Sequence, residues 1–303
     1  MTAKIVVVGS FNADLVSYME RMPRPGETVH GDRFATGAGG KGSNQAVAAA
    51  RLGADVTFIG RVGNDVFANL AYEIWDAEGV DHRFVTRDDE VATGVAPILV
   101  DSSGENMIVV VLGANRRIRK RDIDAARPRI AEADMMVVQL EVNLEIVPYA
   151  LKSAKEYGVT TILNPAPAAA IAAETIQLAD YLTPNETELE TLSGGPVADV
   201  VAAARGLLTR GDQTAVVTLG AEGARIVTPE ETHFVPTFAV DAVDTTGAGD
   251  TFNAALAVGL SEGMALPEAV RFANAAAALC VTKPGAADSV PARADVDALL
   301  APF

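Results

Sequence analysis

Short apolar runs alternate with stretches of helical periodicity along most of this chain, and no other feature limits its fold as strongly. Residues 5–8, 57–59, 135–138, 160–163, 181–182 and 215–219 are strand-like runs dominated by Val, Ile, Leu, Met and Thr. Helical patterns over 43–52, 66–78, 144–157, 186–192, 198–209, 254–260 and 267–281 lie between or after them. Apolar strands alternating with helices predict an α/β fold whose central sheet is mainly parallel and covered on both faces. Ligands in such sheets sit beyond the carboxyl ends of the strands.

Two regions interrupt the alternation. Residues from about 14 to 34 and from about 93 to 112 hold strand-like runs with no helix between them, and 95–112 has the pattern of a hairpin with a long turn. We read them as a small accessory sheet inserted into one domain spanning 1–303, projecting as a lid. Its strand edges offer a surface for a homodimer. A hydrophobic content of 49% excludes a disordered chain. No apolar run approaches the ~20 residues of a membrane span, and the first residues do not form a secretory signal. The single cysteine, Cys280, excludes an internal disulfide and fits a reducing cytoplasm. A net charge of −16 argues against nucleic-acid or anionic-membrane partners. Any phosphate ligand is then held by backbone N–H groups, a cation or a few basic side chains.

Two glycine clusters carry the chemistry. Val243-Asp244-Thr245-Thr246-Gly247-Ala248-Gly249-Asp250-Thr251-Phe252-Asn253 is a turn running into an apolar helix. Free N–H groups at a helix start bind anions, and Asp250 there can meet a hydroxyl beside a phosphate. Gly37-Ala38-Gly39-Gly40-Lys41-Gly42-Ser43-Asn44-Gln45 opens the helix at 43. It lacks the P-loop spacing. Its Gly37-x-Gly39-x-x-Gly42 letters match a dinucleotide fingerprint, but no buried strand precedes them and Asp55 begins, not ends, the next strand. A backbone cradle with Lys41 and Asn44 as donors is the better reading; a tight turn before a packed helix is the plain alternative.

Polar residues recur at strand ends. Asn12 and Asp14 follow the first strand and suit vicinal hydroxyls or a turn cap. Glu141 follows 137–140, as a ligand contact or a first-turn acid. Asn185 and Glu188 stand one helical turn apart, as holders of hydrated Mg²⁺ with nucleotide phosphates or as an N-cap pair. Thr218, Gly220 and Gly223 form a small-residue turn open to an adenine or a phosphate, or an ordinary hairpin. His30, His82 and His233 have no partner at metal-ligand spacing, and no nucleophile elbow is present.

Jointly these motifs resemble the ribokinase (PfkB) family of carbohydrate kinases from end to end. The two glycine segments carry the resemblance, with Asn12-Ala13-Asp14, Pro25-Gly26-Glu27-Thr28, Gln139-Leu140-Glu141, Asn164-Pro165-Ala166-Pro167, Thr183-Pro184-Asn185-Glu186-Thr187-Glu188, Lys283-Pro284-Gly285-Ala286 and Ser289-Val290-Pro291. The resemblance implies a three-layer α/β/α sandwich with a β lid, and transfer of the ATP γ-phosphate to the 5-hydroxyl of ribose. Asp250 would be the base, and Gly247, Ala248 and Gly249 the anion hole. Asn12, Asp14, Gly40, Lys41, Asn44 and Glu141 would bind the sugar. Asn185, Thr218, Gly220, Gly223, Gly249 and Asn274 would line the ATP site, with Glu188 acting on Mg²⁺ through water. A K⁺ ion would use Asp244 and Ser289 side chains and carbonyls of Thr246, Cys280, Lys283 and Gly285. Few basic residues accompany Lys41, which favours a neutral pentose over a sugar phosphate. Deoxyribose, fructose or a nucleoside are other acceptors in the same family. A non-catalytic sugar binder and a nucleotide-dependent oxidoreductase are the readings outside it.

Overall fold

The computed structural model describes residues 2–301. Thirteen strands run β1 Lys4–Val8, β2 Asn12–Tyr18, β3 Arg33–Gly39, β4 Asp55–Gly63, β5 Asp81–Asp88, β6 Gly94–Val100, β7 Asn106–Ile108, β8 Met135–Val138, β9 Thr160–Leu163, β10 Tyr181–Leu182, β11 Thr214–Thr218, β12 Gly223–Val227 and β13 Thr232–Pro236. The α-helices are α1 Lys41–Arg51, α2 Val66–Glu78, α3 Lys120–Ala125, α4 Arg127–Ala131, α5 Ile146–Lys155, α6 Ala173–Ile176, α7 Glu186–Ser193, α8 Val200–Leu207, α9 Ala248–Ser261, α10 Leu266–Cys280 and α11 Arg293–Leu300.

Nine strands form the central sheet in the order β13-β12-β11-β10-β9-β8-β1-β4-β5, parallel from β11 to β5 and antiparallel at β12 and β13. The period-2 alternation of each strand divides the core into two layers. Ile5 and Val7 point into a layer built with α1, α2, α9 and α10, whereas Val6 and Val8 point into one built with α3 and α5. A smaller cluster under α7 and α8 extends the second layer beneath β11 and β12. Burial of these apolar faces, at roughly 25 cal/mol per Å² removed from water, is the main stabilising term.

From β1 the chain moves outward through β4 and β5, and from β8 it moves the other way through β9, β10 and β11. The order therefore reverses between β1 and β8. A crevice opens where successive connections leave in opposite directions, and ligands bind there. Ser10 and Asn12 follow β1, and Glu141 follows β8.

A second sheet has the order β3-β2-β6-β7, with β2 and β6 parallel and the other pairs antiparallel. The strand-like runs of 14–34 and 93–112 enter this sheet, but β3 continues to Gly39, into the glycine cluster. Gly37 and Gly39 thus belong to a strand of the small sheet, not to a turn after a parallel strand of the large one, which removes the basis of the dinucleotide-fingerprint reading. Helix α1 begins at Lys41, two residues before the expected start, because Gly40 at φ 89° turns the chain directly from β3 into it. Strands β5, β12 and β13 carry no apolar-run signal. β5 is a charged edge strand, DHRFVTRD, and edges are kept charged to discourage further pairing.

Candidate active site

Two helix N-termini meet over the crevice. Gly40 sits so close to β1 that a Cβ on it would lie 2.6 Å from the Asn12 nitrogen, and one on Gly42 would lie 2.5 Å from the Ser10 nitrogen. Glycine at both places lets the first turn of α1 rest on the end of β1. Glu141 fastens the junction: its Oε2 accepts from Ser10 Oγ at 2.6 Å, Lys41 N at 3.0 Å and Asn12 Nδ2 at 3.3 Å. Asn115, fully buried, donates through Nδ2 to Asn12 Oδ1 at 2.9 Å and to Phe11 O at 2.8 Å. That bond assigns the Asn12 amide, leaving its Nδ2 toward Glu141.

Gly247 adopts the left-handed conformation at φ 79° and starts α9 beside Ala286. The Ala248 N–H reaches Thr245 O at 3.3 Å and the Thr251 N–H returns to Gly247 O at 2.8 Å. Between them, the N–H groups of Gly249 and Asp250 have no protein acceptor among the described residues. Helix starts of this kind concentrate positive potential. Asp250 is buried in the first turn of α9, and its carboxylate accepts from Asn44 Nδ2 at 2.9 Å and Gln45 Nε2 at 3.1 Å, both on α1.

Around Glu141 and Asp250 lie Asn12, Asp14, Gly40, Lys41 and Asn44. Asn44 Oδ1 is buried without a partner among the described residues, an acceptor free for a hydroxyl. Burial, with the Glu141 and Asp250 charges adding, pushes the Asp14 carboxyl up to about 7. The Lys41 ammonium is held above its usual range chiefly by Asp250, against burial, and then by Glu141 and Glu188. Burial pushes Glu188 up, opposed by the Asn185 N–H and by Lys41. Asp250, Glu141 and Glu188 thus act on one ammonium, an excess of negative charge in which a polyanionic ligand needs a cation beside it.

Beside the α9 start opens a cleft of about 590 Å³, lined by Asn185, Thr218, Gly220, Gly223, Gly249 and Asn274. Asn185 and Glu188 also form a reciprocal capping box on α7, with Glu188 N to Asn185 Oδ1 at 2.8 Å and Asn185 N to Glu188 Oε2 at 2.9 Å. Thr218 and Gly223 flank the β11–β12 hairpin, so the N-cap and hairpin readings of these two segments are the geometry present, and Asn185, Thr218, Gly220 and Gly223 also line the cleft. Asn274 donates to Val235 O at 3.0 Å and Pro236 O at 3.2 Å, anchoring the strand whose continuation, Thr237 to Val240, forms the outer wall. That wall has no glycine motif or periodicity and is not readable locally.

Behind the α9 start, Asp244 accepts from Thr246 N and Gly285 N at 2.9 Å each and from Thr246 Oγ1 at 2.6 Å. Burial pushes Asp244 up, but these three donors outweigh it and leave the carboxyl below its usual range. Cys280 Sγ lies 3.9 Å from Thr246 O and 3.0 Å from Ser289 Oγ, and Lys283 N donates to Cys280 O at 3.3 Å. Asp244 and Thr246 on one loop thus lie against Cys280 at the end of α10 and against Lys283, Gly285 and Ser289 on the segment that follows it. Ser10, Gln45, Asn115, Gln139 and Asn164 complete the polar centre. The motifs give them no role, since a polar residue beside apolar ones looks the same in sequence whether it serves a site or a turn.

The model of the pfkB family carbohydrate kinases matches residues 2–293. The chain belongs to that family. Among relatives, a ribokinase of Haemophilus influenzae is 42% identical, covering 97% of each chain. A deoxyribokinase of Salmonella typhi is 39% identical, covering 95% of each. The structure of Arabidopsis thaliana ribokinase complexed with ribose and ATP superposes with a TM-score of 0.91 at 37% identity, covering 99% of each chain. As a pfkB family carbohydrate kinase, this protein is a phosphotransferase with an alcohol acceptor, on the three-layer α/β fold of its relatives. No helix among the described residues is long and apolar enough to cross a membrane.

Proposed function

We propose that this carbohydrate kinase moves the γ-phosphoryl group of ATP to the 5-hydroxyl of D-ribose, giving ribose 5-phosphate and ADP. The observation that carries the reading is Asp250: buried at the start of α9, where the Gly249 and Asp250 N–H groups are free, its carboxylate meets Asn44 and Gln45 of α1 and stands next to Gly249 of the cleft lining. In this reading Asn12, Asp14, Gly40, Lys41, Asn44 and Glu141 hold the sugar, and ATP lies against Asn185, Thr218, Gly220, Gly223, Gly249 and Asn274. The acceptor oxygen attacks the γ-phosphorus, the bond to the β-phosphate oxygen breaks, and Asp250 takes the hydroxyl proton. The transition state is loose, so positioning and charge stabilisation contribute more than early deprotonation. The N–H groups of Gly247, Ala248 and Gly249 meet the charge that develops on the transferring group.

No cluster of three or more acidic, His or Cys ligands for a metal occurs among the described residues. Mg²⁺ bound with ATP would need only a contact such as Glu188, which lies beside Asn185 and Lys41. Mg²⁺ supplies charge neutralisation to the phosphates. The oxygen-rich loops at Asp244, Thr246, Cys280, Lys283, Gly285 and Ser289 suit K⁺, with Asp244 tying the loops together. Both edge strands of the small sheet expose apolar side chains, Phe34 at 62% and Met107 at 58%. A second copy covering that sheet makes a homodimer, and a cytoplasmic setting keeps the Cys280 thiol reduced.

The deoxyribokinase relative supports 2-deoxyribose as a second acceptor. ADP release measured with ribose, deoxyribose, fructose, adenosine and fructose 6-phosphate tests both. Highest kcat/KM with ribose is expected; highest kcat/KM with any other acceptor overturns the assignment to ribose.

A further inference from the structure

Gln45 is fully buried in the first turn of α1, next to Asn44. Its Nε2 donates to Asp250 Oδ1 at 3.1 Å and to Asn164 Oδ1 at 3.0 Å, and its Oε1 accepts from Gln139 Nε2. Asn164 passes its own Nδ2 to Thr183 O at 3.2 Å. The orientation of an amide is ordinarily an assignment from its neighbours, and here a carboxylate decides it. A carboxylate only accepts, so the NH₂ end of Gln45 faces Asp250 and the NH₂ end of Gln139 faces Gln45.

The far end of this chain shows what the arrangement costs. Gln139 Oε1 is buried with no hydrogen-bond partner, pressed against the backbone at Gly9, where a Cβ would lie 2.1 Å from it. Buried carbonyls without a partner are rare, because nothing replaces the water they lose. The orphan follows from Gln139 turning its NH₂ end toward Gln45.

We propose that Gln45 is a positioning residue for phosphoryl transfer, fixing the plane of the Asp250 carboxylate from Oδ1 while Asn44 holds Oδ2, with Gln139 locking Gln45 in turn. Neighbouring residues on a helix point about 100° apart, so Asn44 and Gln45 reach different oxygens of one carboxylate. Each oxygen keeps a free lone pair for the acceptor hydroxyl, in one orientation. The proposal rests on the reading of Asp250 as the base.

Gln45→Met, Gln45→Glu and Gln139→Met, assayed with ribose and ATP beside Asp250→Asn, test it. Methionine keeps length and bulk without a donor, so kcat of Gln45→Met is expected to fall about 10- to 100-fold, the scale of a misplaced catalytic group. KM for both substrates and Tm stay near wild type. Gln45→Glu, which sets an acceptor against an acceptor, loses more. Gln139→Met loses less, and it carries the test if neither Gln45 variant folds. A loss confined to KM or Tm, or Gln45→Glu outperforming Gln45→Met, makes Gln45 purely structural and overturns the proposal. Full turnover of Gln45→Met beside an inactive Asp250→Asn overturns the proposal and leaves the base intact. An active Asp250→Asn removes the base and this proposal with it.

Discussion

Asn44 Nδ2 and Asp250 Oδ2 meet at 2.9 Å although 206 positions separate them in the chain. The bond joins the first turns of α1 and α9, the two helices whose N-termini face the crevice between β1 and β8. It places an amide of α1 on the carboxylate that follows Gly249, a residue of the cleft lining. The two halves of the site are therefore built as one unit.

Asp250→Asn keeps the size of the side chain but turns an amide toward the donors of Asn44 and Gln45. Turnover is expected to fall by at least ~10², as for loss of a general base, while ATP affinity by calorimetry changes little. A near-normal kcat would take Asp250 out of the mechanism.

Asp14 receives no side-chain hydrogen bond among those described, and burial pushes its carboxyl up to about 7 in the fold, from an ordinary 3.8. Between those values the folded protein holds a proton that the unfolded chain has lost, so this group makes stability fall as pH rises. Above about 7 the charge stays buried and the cost is constant. Asp14→Asn removes it. Its Tm advantage over wild type, without ligands, is expected to be absent near pH 3.8, to grow up to about 7 and then to level off. An advantage that is flat across this range would contradict the burial argument.

A Cβ on Gly249 would meet no protein atom within 4 Å, whereas one on Gly42 would meet the Gly9 Cα at 2.6 Å. Gly249→Ala should therefore fold as well as wild type, or gain up to about 1 kcal/mol from helix propensity, yet bind ATP more weakly because the methyl group enters the phosphate space. Gly42→Ala should lose stability by about 1–3 kcal/mol through overpacking. Thermal melts and ATP titrations separate the two effects; equal melting temperatures for both variants would count against the close-approach account.

Replacing K⁺ with Na⁺ in the assay should lower the rate, since a cation behind the α9 start would hold the Thr246 and Gly285 loops in place. Ser289→Ala should blunt that dependence. Equal rates in both buffers would leave the Asp244 loops as structural ties alone.

Local signals made much of this protein readable. The period of the strands and helices announced the parallel sheet, and the left-handed turns at Gly40 and Gly247 demanded glycine where the motifs have it. Asp250, Asn44 and Glu141 stood out because each lies at the end of a strand or the start of a helix. Strands β5 and β13 gave no such signal: their charged or polar edge sequences pair through backbone atoms that every residue has. Ser10, Asn115 and Gln139 were silent for a related reason. Each is a short polar interruption in apolar sequence, and its partner lies about a hundred residues away.

The alternating layers, the two glycine turns and the kind of chemistry are written into local sequence, because dihedral limits and hydrophobic periodicity act over a few neighbouring residues. Which polar groups face one another is set on folding. Gln45 is one more helical residue until folding brings Asp250, Asn164 and Gln139 around it. The orientation of its amide then follows from the one neighbour that cannot donate.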